Sequence, residues 1–326
     1  MRVLRWSVLA VALLAVSLPA GATEKNPGAG NAEIDSIGMP TLGGRQFWGD
    51  VYAHAGWRIQ ENVITGHYRL LDPSNARHTW GTYEECHEKF EKLAATSDLN
   101  WKNNHLIVMI HGLGRTKSAF ANLKEVMAKE GYATLSISYP STRGSAADHG
   151  KRLNRLIGDL KGVDRISFVT HSFGGLVLRD ALSAESEWRH RIAVNAAVML
   201  APPSQGSAIA DYLEDFVPFR LVGGKGGQAV TSEEASKLPV PTIPFGVIAG
   251  GRGDGEGFNP LLEGDDDGVV TVEETKLRGA ADFMVVDAIH TFIMDDPMAV
   301  QAMKTFFTHK KFSVPTGDMK AEGWKQ

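Results

Sequence analysis

The chain has 326 residues, of which 43% are apolar, 22% charged and 8% aromatic, at a formal charge of −4. This is the composition of a globular protein with a sizeable core, and it excludes disordered, collagen-like and coiled-coil chains. With 34 Lys and Arg against 38 Asp and Glu there is no basic footprint for a phosphate backbone, so nucleic acid is not an expected partner.

Arg2 and Arg5 precede an uncharged run from Trp6 to Leu18, followed by Pro19-Ala20-Gly21-Ala22. Basic, apolar, then small residues is the order of a secretory signal. The run is shorter than the ~20 residues a helix needs to cross a bilayer, so residues 1–22 are expected to be cleaved near Ala22, giving an exported chain (periplasmic or secreted) with no stable membrane span. Residues 23–45, rich in Gly, Ala, Asn and Pro, read as a flexible leader.

Residues 46–100 read as a small N-terminal extension. Short strands are predicted at Trp57 to Ile59 and Tyr68 to Leu70 around a turn at Thr65-Gly66, and Thr82-Tyr83-Glu84-Glu85 is a capping box opening a helix through Leu93. Cys86, the single cysteine, falls in that helix. One thiol makes no internal disulfide, and Cys86-His87 has no second Cys or spaced His to build a metal site, so Cys86 reads as an apolar helix position.

After Asn104 the texture changes to short apolar runs at Leu106 to Ile110, Ala133 to Tyr139, Arg165 to Thr170, Ile192 to Leu200, Ile243 to Ala249 and Phe283 to Val286. Segments with helical spacing lie between and after them, at Ser118 to Lys129, Ala146 to Leu160, Gly174 to Leu182 and Met298 to Phe307. This alternation predicts an α/β domain over residues 101–312, with a mostly parallel central sheet flanked by helices and a C-terminal tail at 313–326. The interval Gly206 to Pro241 is too long for an ordinary connection and carries Leu213, Phe216, Val217 and Phe219, which makes it a candidate lid.

Thr170-His171-Ser172-Phe173-Gly174-Gly175 follows a buried run and opens a helix, the context in which a sharp strand-to-helix turn exposes a nucleophilic serine. Gly174 meets the need for a small residue two positions after Ser172; Thr170 departs from the Gly usual two positions before it. A serine hydroxyl needs a base, and an acid to orient that base, and on this scaffold acid and then base follow the serine along the chain. Of the 11 histidines only His290 and His309 come late enough. His309 lies in the polar stretch Thr308-His309-Lys310-Lys311, whereas His290 sits just past the last buried run. For the acid, Asp267 adjoins Gly268-Val269-Val270, which can anchor it, with Asp266 and Asp254 as rivals. The three consecutive aspartates lack the alternating ligand spacing of a calcium loop, and neither metal nor cofactor is expected. The oxyanion of acyl transfer needs N–H donors, expected from Phe173 and, in His111-Gly112-Leu113-Gly114-Arg115, from Leu113. His111 and His171 read as structural.

In these motifs and their order, including His290-Thr291-Phe292, the chain resembles a bacterial serine esterase or lipase of the α/β-hydrolase superfamily over roughly Asn104 to Phe307. The resemblance implies an α/β-hydrolase fold and a small-molecule or lipid ester substrate, with possible transient contact with a lipid surface. An acyltransferase or thioesterase using the same residues, and a non-catalytic hydrolase-like binding module, are the alternatives.

Overall fold

The computed structural model describes residues 45–97, 99–213, 227 and 230–313. The predicted signal peptide, nearly all of the leader, and the tail from 314 lie outside them, as do Phe216, Val217 and Phe219 of the candidate lid.

The hairpin expected in the extension belongs to a four-stranded antiparallel sheet of β1 (Trp48–His54), β2 (Trp57–Asn62), β3 (Tyr68–Leu71) and β4 (Arg77–Gly81), in that order. Helix α1 (Tyr83–Ala94) begins at the Thr82–Glu85 capping box, each residue's side chain accepting the other's backbone N–H. Its buried Cys86 and Phe90 pack on Val51, Tyr52, Ile59 and Leu70. The sheet docks on the rest of the molecule through Asp50. Its N–H donates to Ser138 O at 2.8 Å, and its carboxylate accepts the Ser138 N–H at 2.7 Å.

The six predicted apolar runs are the strands β5 (His105–Ile110), β6 (Ala133–Ser136), β7 (Arg165–His171), β8 (Ala193–Leu200), β9 (Phe245–Gly251) and β10 (Asp282–Asp287). They form one sheet in the order β10-β9-β8-β7-β5-β6, every neighbouring pair parallel. Helices cover both faces, which is why strand β5 is apolar from Leu106 to Ile110 instead of alternating. Leu106, Val108 and Ile110 face the core made with α3 (Ala146–Gly158) and α4 (Phe173–Ser183). Ile107 and Met109 face the core made with α2 (Ala121–Lys129) and α8 (Pro297–His309).

The chain runs from β5 outward to β6 and then returns to β7 on the other side of β5. Strand order therefore reverses between β5 and β7, and the crevice beyond their carboxyl ends is where open α/β sheets bind ligands. The long interval between β8 and β9 contains the short helices α5 (Ala208–Leu213) and α6 (Ser232–Ser236). Arg179 of α4, itself buried, ties its two roots together, donating to Ser204 O at 2.8 Å, to Pro239 O at 3.1 Å and to Leu238 O. Helix α7 (Val272–Thr275) follows β9. No helix among the described residues is long and apolar enough to cross a membrane.

Candidate active site

Strand β7 passes into helix α4 through Ser172, whose backbone is at φ 53°, ψ −126°. A side chain held at positive φ there costs ~1–3 kcal/mol. The turn is locked by Ser172 N–H to Leu200 O at 2.9 Å and by Gly175 N–H to Ser172 O at 2.8 Å. Gly174 is required by its surroundings, since a Cβ on it would lie 2.3 Å from Ile110 O and 2.9 Å from His111 O. Thr170, the departure from the usual pattern, is fully buried with its hydroxyl unpartnered. Gly175 lies beside it, where a Cβ would stand 3.0 Å from Pro202 Cβ and 3.4 Å from Thr170 Oγ1.

Asp267 and His290 are brought together. His290 Nδ1 lies 2.6 Å from Asp267 Oδ2, with the carboxylate side chain fully buried and the imidazole nearly so. The other carboxylate oxygen accepts the N–H groups of Val269 at 3.0 Å and Val270 at 2.8 Å. A second link runs from His290 N–H to Asp267 O at 2.8 Å. Because a carboxylate only accepts, Nδ1 carries the proton and Nε2 keeps its lone pair, the tautomer a general base requires.

The rival acids are engaged elsewhere. Asp266 accepts N–H groups of Asn259 and Gly268, and burial raises its pKa. Asp254 is exposed, accepts from Glu256 and Gly257, and pairs with Arg252. Asp265 accepts the N–H groups of Arg252 and Gly253. His309 ends α8 and is exposed.

His171, the residue before Ser172, packs against His290. The His171 ring is 4.7 Å from the His290 ring, and its Nε2–H donates to His290 O at 2.9 Å. Complete burial, then the neighbouring His290, hold the His171 pKa well below the usual range, so it stays neutral. The Ser172 hydroxyl hydrogen-bonds no described residue. Ile289 and Phe292, on either side of His290-Thr291, expose their side chains.

Two N–H groups are candidates for holding an oxyanion. Phe173 is the first residue of α4, so its N–H has no intrahelical acceptor. In the loop after β5, the Gly114 N–H goes to Ser141 Oγ at 2.9 Å and the Arg115 N–H to Gly112 O at 3.2 Å. That leaves the Leu113 N–H, which hydrogen-bonds no described residue. Under this loop His111 donates its Nδ1–H to Gly112 O at 2.9 Å, and Tyr139 stacks on its ring while donating to His111 O. Burial depresses the His111 pKa to about 3. Neither Tyr139 nor Ser141 belongs to a motif, and both lie in the connection after β6, so no local signal in the sequence marks them.

A family model described as "Alpha/beta hydrolase family" matches residues 107–299. Among solved structures, the mature form of the Bacillus licheniformis lipase BlEst2 is similar at a TM-score of 0.52 and 20% identity, over 63% of this chain and 91% of that one. Its propeptide form is similar at a TM-score of 0.52 and 19% identity, over 66% of this chain and 52% of that one. The metagenomic carboxyl esterase MGS0156 is similar at a TM-score of 0.43 and 17% identity, over 58% and 65%. No curated protein matches the chain.

Proposed function

The chain belongs to the alpha/beta hydrolase family, and from that membership and the site geometry we propose that it is an exported serine hydrolase of carboxylic esters. The observation that carries this reading is the buried Asp267–His290 pair, with its imidazole tautomer fixed and His290 packed against His171, the residue before a serine held on a strained strand-to-helix turn. The basic, apolar, small-residue order of residues 1–22 supports export.

In this reading Ser172 Oγ attacks the ester carbonyl carbon while His290 Nε2 takes its proton. Asp267 keeps Nδ1 protonated and stabilises the imidazolium that forms. The carbonyl oxygen, now negative, accepts hydrogen bonds from the N–H groups of Phe173 and Leu113, a contribution of about 3–4 kcal/mol for each well-placed donor. Collapse of the tetrahedral intermediate breaks the bond to the leaving alcohol, whose oxygen takes the proton from His290. Water then attacks the acyl-Ser172 ester with His290 again as base, releasing the acid and restoring the serine. The exposed Ile289 and Phe292 suit an ester with an apolar acyl or alcohol group, such as a lipid.

The test is hydrolysis of p-nitrophenyl esters with acyl chains of two to sixteen carbons, with Ser172→Ala in parallel. Turnover is expected in the wild type and its loss in the variant. A Ser172→Ala protein that hydrolyses these esters at the wild-type rate would remove the nucleophile from the scheme.

A further inference from the structure

Resting on the esterase reading, we infer that the N-terminal extension is part of the catalytic apparatus, with Gln46 as a positioning residue for the loop that presents the Leu113 N–H. Gln46 lies in a 3-10 turn just before β1 and is only 4% exposed. Its amide reaches into the hydrolase domain with both ends. Nε2 donates to Arg115 O at 2.9 Å, while Oε1 accepts from Ser141 Oγ and from Thr142 N–H, each at 3.2 Å. The orientation of the amide is fixed by its partners, since Arg115 O can only accept.

Ser141 is fully buried and has one proton to give. That proton goes to Gln46 Oε1, and its oxygen accepts the Gly114 N–H. Gln46 and Ser141 thus close a ring of hydrogen bonds around the peptide unit joining Gly114 and Arg115. The effect passes to Leu113 through peptide planarity. Gly112 O and the Leu113 N–H share one peptide plane and point in opposite directions. Two donors hold Gly112 O, His111 Nδ1–H and Arg115 N–H, and the second belongs to the residue that Gln46 grips. Fixing Arg115 fixes the plane, and the plane aims the Leu113 N–H away from Gly112 O. Gly114, at φ 69°, allows the chain to turn back for this.

The extension is itself anchored where the ring needs it. Asp50 of β1 makes two hydrogen bonds to Ser138, three residues before Ser141, and a Cβ on Gly49 would lie 3.1 Å from Pro140. Strand β1, the 138–142 segment and the 112–115 loop form one continuous polar support.

The experiment is Gln46→Ala, with Ser141→Ala as a second variant entering the same ring from the other side. A displacement of the donor by about 1 Å is enough for a loss of ~10²-fold. We expect kcat to fall about 10- to 100-fold with KM within about twofold, and backbone amide exchange over residues 111–118 to speed up. The double variant should lose little more than either single one, because both break one ring. A change confined to thermal stability, with kcat intact, overturns the inference, as does unchanged exchange of the loop in a folded Gln46→Ala protein. If Gln46→Ala does not fold, Ser141→Ala alone carries the same two readouts. If the wild type hydrolyses no ester, the esterase reading fails by itself, and the exchange measurement still decides whether Gln46 holds the loop.

Discussion

The two ends of the central sheet handle buried polar groups in opposite ways. At the amino-terminal edge, polar side chains reach into one joined network. His105 Nε2 meets Ser167 Oγ at 2.9 Å, and Asn195 Nδ2 donates to Ser167 Oγ and to Phe307 O. Lys310 donates to Asn195 Oδ1 and again to Phe307 O. At the carboxyl edge of the same strands, Thr170 Oγ1, His111 Nε2, His171 Nδ1 and Ser204 Oγ are buried without a partner. Ser172 and Ala201 there sit at positive φ; Lys310 does so at the opposite edge, as the left-handed cap of α8. Strand β7 carries both conditions, Ser167 at one end and the lead into Ser172 at the other. Each orphaned polar atom costs ~1–3 kcal/mol, and so does the strained serine. Polar groups are thus satisfied at one edge of the sheet, while the other edge, where the candidate site lies, carries unpaired polar atoms and a strained turn.

Activity should separate the two edges most strongly. Asp267→Asn keeps the acceptor for Val269 and Val270 but turns an N–H toward His290 Nδ1. The imidazole then flips to the tautomer with Nε2 protonated and can no longer accept the serine proton, so kcat should drop by about 10³- to 10⁴-fold with little change in stability. Asn195→Ala, at the opposite edge, should leave kcat within twofold while costing ~1–3 kcal/mol of unfolding free energy, because Ser167 and Lys310 lose a partner. Steady-state kinetics and denaturant titration of the two variants decide it. The same pattern in both would mean that the edges do not differ in kind.

Next comes the response to acid. His111, His149 and His171 are all buried, and burial is the leading cause that lowers each pKa, to about 3 for His111, to about 4 for His149 and well below the usual value for His171. In the unfolded chain they titrate near 6.5, so their neutral burial is without penalty above that pH. Below it the unfolded state binds protons that the folded state refuses, and stability is lost as pH falls toward the folded values. Each imidazole contributes at most ~1.4 kcal/mol per pH unit. Unfolding at pH 5 should take up about three protons from these groups, measurable as the pH dependence of the unfolding free energy. An uptake below one proton would show that these imidazoles are solvated.

The parallel sheet was legible in the sequence because strands covered on both faces must be written in apolar residues, and all six runs became strands. Part of the candidate site's geometry was legible for a related reason. Gly174 has no room for a side chain, and Asp267 could be preferred to Asp266 because Val269 and Val270 offered an anchor, which is where its second oxygen is held. The extension was half hidden. Strand β1 has Asp50 on a buried face, paired with Gln60 and Arg58, so its alternation is masked by polar residues that satisfy one another. Strand β4 is an exposed edge with no apolar pattern to read. Gln46 adjoins a segment of leader-like composition, and nothing local in the sequence marks a partner that lies 69 residues away.

The smallest effect tests the strain itself. Ser172→Ala and Ser172→Gly both remove the hydroxyl, so both are expected to be inactive, and they differ only in whether a Cβ remains at φ 53°. Glycine relieves a conformation that costs an L-residue ~1–3 kcal/mol, offset by ~0.5–1 kcal/mol for its greater freedom in the unfolded chain. Ser172→Gly should therefore be about 1 kcal/mol more stable than Ser172→Ala in denaturant unfolding. The corresponding exchange at Ser167, which lies within strand β7 and not at positive φ, should run the other way, with the glycine variant less stable than the alanine one. If glycine gains nothing at Ser172, the turn is unstrained in the folded protein. The carboxyl edge would then owe its lower stability to its orphaned polar atoms alone.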